Sequence, residues 1–162
     1  MALPFTRPVS ASRNEILRAL DVLTTPGTEV ELRAIGVQTH SGDKPHPISK
    51  CFTDRDELAN SAIALDASAK GIYVTLNPLK AGATGSTADT DIAARRWLPI
   101  DVDPERPANT ASNAEEHAGA LKRAGEIRDF LASQGWPEPV EADSGNGAHL
   151  LWRMTCQRTM VG

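Results

Sequence analysis

The sequence predicts an α+β fold: a mixed or antiparallel sheet with helices packed on it. Three observations support this. Helical segments open with capping signals and carry apolar stripes at helical spacing. Alternating or apolar strand-like runs lie between them. The last two such runs flank a "SGNG" turn and read as an antiparallel hairpin. An α+β sheet fits that antiparallel ending better than a doubly wound parallel sheet.

The elements follow in the order α, β, α, β, β, α, β, β. "SRNEILRALDVLTTPG" is a helix, with Ser12 and Glu15 as a capping box and Pro26-Gly27 as its stop. Ile16, Leu17, Leu20 and Leu23 form its apolar stripe. "TEVELRAIGV" alternates at Val30, Leu32 and Ala34 and reads as a strand. "THSGDKPHPISK" reads as loop from its Gly, Pro, Ser and His content. Asp54 caps the second helix, whose face carries Leu58, Ala62, Leu65 and Ala69. "GIYVTLNP" is a short strand, and "LKAGATGSTADT", residues 79–90, reads as a mobile loop.

"RWLPIDVDP" is the next strand. In "SNAEEHAGALKRAGEIRDFLASQGWP", Ser112 and Glu115 predict a capping box and Gly135 the helix end. Ala118, Leu121, Ala124, Ile127 and Leu131 share a face. With 162 residues and no visible repeat or linker, the expectation is a single domain over residues 1–162.

Charged residues at 23% and hydrophobic residues at 40% suit a soluble globular chain. The net charge of −4 gives no global basic footprint for nucleic acid, though it allows a local groove. Cys51 and Cys156 have no C-x-x-C partner, so the expectation is free buried thiols rather than zinc or a disulfide framework. The start resembles no signal peptide and no window is long enough for a membrane helix. The expected location is cytoplasmic, with no membrane partner.

"RRWLPIDVDPERP" sets Asp101 and Asp103 one residue apart after an apolar run. On a strand, such residues share a face. Carboxylates about 5 Å apart repel by roughly 3 kcal/mol at an effective dielectric near 20. A proton, a basic neighbour or a divalent cation relieves that, and Mg²⁺ suits one or two carboxylates plus substrate phosphates. Solvated surface acids remain the plain alternative. An EF-hand fails, because its sixth position is Arg106 and its twelfth Ser112.

"DSGNGAHLL" is the second constellation. Gly145 and Gly147 allow backbone N–H groups to approach an anion, and Ser144 adds a hydroxyl. His149 stands two residues beyond Gly147, where it can donate to phosphate. An ordinary hairpin with a surface histidine is the alternative. His40, His46 and His117 read as solvated.

Taken together, "GIYVTLNP", "DTDIAARRWLPIDVDPERP" and "GWPEPVEADSGNGAHLLWR" closely resemble the archaeo-eukaryotic primase superfamily. The likeness runs from about residue 28 to Arg153. It is nearest to the N-terminal primase-polymerase domains of phage and plasmid replication proteins. The resemblance implies a core related to the RNA-recognition-motif sheet. It implies that Asp101 and Asp103 are catalytic metal ligands for Mg²⁺ or Mn²⁺. It implies that His149 contacts the incoming triphosphate, with Ser144, Gly145, Asn146 and Gly147 forming the turn beside it. Arg96 would hold phosphate or template. The implied partners are nucleoside triphosphates, single-stranded DNA template and a replicative helicase domain in the full-length protein. The implied reaction is metal-dependent nucleotidyl transfer.

The family also uses a third carboxylate after the histidine motif, and no acid follows Asp143 here. The expectation is therefore a core incomplete at its C-terminus, inactive or impaired, with uncovered core near Leu150–Trp152. The tail over residues 153–162 reads as non-native and frameshifted. One frame over from Met154, the first codon must encode Asp, the next Leu, Met or Val, and the third Pro or Ser. That resembles the family's continuation, and the gene's nucleotide sequence decides it. The alternatives are a non-catalytic nucleotide- or single-stranded-DNA-binding module and a D-x-D glycosyltransferase. The hairpin has no evident job in the last.

Overall fold

A computed structural model of the chain describes residues 12–38, 40, 44–107 and 110–154. The chain divides into two compact units, Met1–Ala94 and Arg95–Gly162. The fold is α+β. Among the described residues the strands form two three-stranded antiparallel sheets, one in each unit, where the sequence led us to expect one sheet.

The first unit contains α1 (Arg13–Leu23), β1 (Val30–Val37), β2 (His46–Phe52), α2 (Arg55–Asp66) and β3 (Gly71–Val74). The Ser12 hydroxyl caps α1 by accepting the Glu15 N–H. The Asp54 carboxylate caps α2 by accepting the N–H groups of Asp56 and Glu57. The sheet order is β2-β1-β3. Val30, Leu32 and Ala34 on β1 pack with Leu20, Leu58 and Ala62 of the helices. Burying this apolar face drives the unit together.

Two expectations fail in this unit. Residues 46–52 are a strand, not loop. Pro47 hid it, because proline removes a ladder donor. Here Pro47 is tolerated on an edge strand, opposite the register shift between Ala34 and Val37. The segment read as a mobile loop is anchored. Leu79 is buried and donates its N–H to the Glu29 carbonyl at 2.8 Å, and Gly82 donates to the Glu29 carboxylate at 2.9 Å.

The second unit contains β4 (Trp97–Val102), α3 (Ala114–Ser133), β5 (Val140–Asp143) and β6 (Ala148–Arg153). The order is β4-β6-β5, so β6 is central. Val102, Ala148, Leu150 and Trp152 pack against Ala120 and Ala124 of α3. The cap of α3 falls one residue later than expected. Asn113 is the N-cap, with Glu116 completing the box, because "SN" and "EE" offer two adjacent registers of the same signal. Gly135, at φ +84°, ends the helix as expected.

Leu150, Leu151 and Trp152 are buried, contrary to the expected uncovered core. The Trp152 indole N–H donates to the Pro137 carbonyl at 2.9 Å, and Trp136 meets its ring edge-on at 5.9 Å. Of the segment read as a frameshifted tail, Arg153 belongs to β6 and the Met154 N–H donates to the Arg96 carbonyl. Residues 155–162, including Cys156, lie outside the described residues. No helix among the described residues is long and apolar enough to cross a membrane.

Candidate functional site

The register of the second sheet assembles the site. Asp101 on β4 pairs directly with His149 on β6, and His149 pairs with Ala142 on β5. Opposed residues in an antiparallel ladder share a face. Val102, Leu150 and Ala148 fill the face under α3, so Asp101 and His149 occupy the other. His149 Nε2 lies 3.3 Å from Asp101 Oδ1, and both side chains are about half exposed or more, at 46% and 66%.

β4 ends at Val102, so Asp103 lies one residue past the strand. Strand alternation no longer dictates its direction there. Its carboxylate is 3.5 Å from the Arg106 guanidinium. Arg106 also donates to the Thr110 carbonyl, while its Nε is buried with no hydrogen-bond partner. Asp103 is therefore partly neutralised by a residue that sequence reading had weighed only against an EF-hand.

The turn after β5 packs closely on this end of β4. A Cβ placed on Gly147 would lie 2.1 Å from the Val102 carbonyl oxygen and 3.2 Å from Asp103 Oδ1. Only glycine fits. Gly145 is required for another reason, its φ of +78°. The turn's backbone N–H groups are spent within it. Gly145 N–H donates to Asp143 Oδ1 at 2.7 Å, and Gly147 N–H donates to the Ser144 hydroxyl at 2.9 Å. Asn146 N–H approaches the same hydroxyl at 3.4 Å. The expected anion nest is thus occupied by the turn's own oxygens.

Other elements hold the turn from behind. Asn146 Oδ1 accepts the Ser112 N–H at 3.0 Å. His117 Nε2 on α3 lies 2.8 Å from Asp143 Oδ1, so His117 is not the solvated residue its place on a polar helix face suggested. The Gly145 N–H first, and then His117, hold the Asp143 carboxyl below its ordinary value, against a smaller opposing effect of burial. The Asp at the head of a Gly-rich turn was the one sequence signal for this.

Arg96 stands at the opposite end of β4. Asp101 is five positions further along the chain, roughly 16 Å of extended strand. The neighbourhood of Arg96 is aromatic and cationic: the Arg153 guanidinium lies 5.7 Å from the centre of the Trp97 ring. The structure therefore brings together Asp101 with His149, and Asp103 with Gly147, and leaves Arg96 apart.

Among the described residues, no three His, Cys, Asp or Glu side chains converge as a metal-binding group. Asp101 and Asp103 are hard oxygen donors one residue apart in sequence and open to solvent. That donor set fits a Mg²⁺ or Mn²⁺ ion completed by waters and substrate phosphates, rather than a closed protein cage.

No protein-family model, no curated protein and no solved structure matches this chain. The first unit offers an open cavity of about 1080 Å³ beside α1, α2 and β3. It is lined mainly by Leu20, Leu23, Leu58, Ile63, Ile72 and similar groups, and none of the predicted site residues reaches it. Cys51 is partly buried. Burial first, and then the charges of Glu29, Glu31 and Asp91, raise its thiol pKa, which opposes a nucleophilic role.

Proposed function

We propose that the second unit carries a metal-dependent nucleotide site of the primase-polymerase kind, built on an RNA-recognition-motif-like core and acting with a DNA template. The observation that carries this reading is the direct pairing of Asp101 with His149, with the end of β4 and the glycine turn alongside. Asp101 and Asp103 would hold Mg²⁺ or Mn²⁺. Such ions, when bound, activate an attacking 3′-hydroxyl and offset charge on the triphosphate. His149, set beside Asp101, would donate to a phosphate oxygen of the same nucleotide. Arg106 would leave Asp103 as the cation arrives. Ser144 and Asn146 would support the turn, and Arg96 would contact template further along the sheet.

A non-catalytic nucleotide- or single-stranded-DNA-binding module is the second reading. It is favoured by the absence, among the described residues, of a third carboxylate converging on Asp101 and Asp103. A replicative helicase domain in the full-length protein would be the partner under the first reading.

Titration of Mn²⁺ with deoxynucleoside triphosphate, alongside primer extension on a single-stranded template, tests both. We expect Mn²⁺-dependent triphosphate binding that weakens at least tenfold in Asp101→Ala. His149→Ala should weaken it more than Asn146→Ala, since the first removes a ligand contact. Extension by the wild type should be weak or absent. Metal-independent binding, or equal affinity in wild type and Asp101→Ala, would sink the proposal. Robust extension lost in Asp101→Ala would overturn the second reading.

A further inference from the structure

The glycine turn is self-satisfied, so what it contributes is its position. Two contacts set that position from the side of α3. Asn146 Oδ1 accepts both the N–H and the hydroxyl of Ser112, at 3.0 and 3.3 Å. His117 Nε2 meets Asp143 Oδ1 at 2.8 Å, on the same oxygen that accepts the Gly145 N–H. On the other side, Gly147 abuts the Val102 carbonyl with no room for a methyl group.

β6 starts immediately after this turn, and its first pairs are Ala148 with Val102 and His149 with Asp101. The end of a ladder is where strands fray first. Whatever fixes the turn therefore fixes His149 against Asp101.

We propose that His117 is a positioning residue: through Asp143 it latches the 144–147 turn against the end of β4 and so holds His149 opposite Asp101. Asn146 and Ser112 form the second point of the latch. His117 acts from the face packed on α3, whereas Asp101 and His149 occupy the opposite face, so His117 need not touch a nucleotide. The importance of the latch for binding rests on the nucleotide reading above, but its structural effect does not.

The test uses the full chain and three variants: His117→Ala, His117→Gln and Ser112→Ala. Amide exchange at Gly145 and the His149 ring resonances are followed by NMR. Loss of one hydrogen bond to a charged group should speed Gly145 exchange by about tenfold in His117→Ala and shift the His149 signals. His117→Gln, which can still donate to Asp143, should restore most of both. Ser112→Ala keeps its backbone donor to Asn146 and should change exchange by about twofold or less. Unchanged exchange in His117→Ala, or a His117→Gln variant no better than alanine, overturns the latch.

Triphosphate affinity with Mn²⁺ is the separate arm. It should fall about fivefold in His117→Ala and recover in His117→Gln. Altered exchange with undiminished affinity would refute the link from latch to binding. A wild type that binds no triphosphate, with exchange responding as expected, would support the latch and refute the nucleotide reading.

Discussion

The two sheets of this protein are built alike and use a carboxylate in opposite ways. Each has three antiparallel strands and apolar residues packed on helices. In each, an acid stands on the face turned away from those helices. Glu31, on the central strand of the first sheet, is fully buried. Arg33 meets it at 2.8 Å, and the Thr87 N–H and hydroxyl both donate to it. Asp101, on an edge strand of the second sheet, keeps 66% of its side chain exposed with His149 beside it. A saturated acid is structural, whereas an open acid beside a histidine can still accept a ligand. The arrangement of partners separates the two roles, and residue type does not.

The largest expected difference between the two sheets is at their glycines. Gly147→Ala would drive a methyl into the Val102 carbonyl, a backbone atom that cannot step aside. We expect a loss of about 3 kcal/mol or more in chemical denaturation, with β4–β6 disrupted. Gly85→Ala, in the loop over the first sheet, meets nothing but takes an unfavourable φ of +69°. It should cost about 1–2 kcal/mol. Equal costs would mean that the turn does not press on β4 as described.

Next comes a paired substitution. Glu31→Ala strands Arg33 and unpins Thr87, and should destabilise by about 3 kcal/mol, the low end for a broken buried pair because Arg33 is partly exposed. Asp101→Asn should change stability by less than about 0.5 kcal/mol. A stability loss for Asp101→Asn as large as that for Glu31→Ala would erase the contrast.

Acid titration gives the most specific effect, because it isolates one carboxylate. Burial alone would raise the Glu31 pKa, but hydrogen bonds from Arg33, Thr87 and Ser49 together outweigh it and hold the carboxyl at about 2, below its ordinary 4.5. The folded value is depressed, so Glu31 contributes its full stability above about 4.5 and loses it as pH falls towards about 2. Melting temperature should fall across that window in the wild type and fall less in Glu31→Gln. Parallel slopes for the two proteins would show that Glu31 is not the group responsible.

Much of this was legible in the sequence, and what was not shares one physical cause. Ser12, Asp54 and Gly135 announce helix ends because capping is local. The 140–153 hairpin is equally local. β2 was missed because Pro47 counts against a strand unless a bulge on the neighbouring strand is known. Glu31 reads as an outward residue of an alternating strand, and the loop that covers it arrives more than fifty residues later at Thr87. The candidate site was half legible as an arrangement of residues. Asp101, Asp103 and His149 could be picked out by type and spacing. The register that sets Asp101 against His149, and the ties from Ser112 and His117, depend on contacts distant in sequence.

The ladder between β4 and β6 has a mechanical consequence. Its pairs run from Trp97–Arg153 to Val102–Ala148, and the Met154 N–H bonded to the Arg96 carbonyl extends it at the far end. The chain enters at Arg96 and leaves at Met154 on that same end. Tension between those two points would load the bonds one after another, as a zipper, rather than all at once in shear. The pair of Asp101 and His149 lies next to the last tooth, and would be among the final contacts to part under a pulling force.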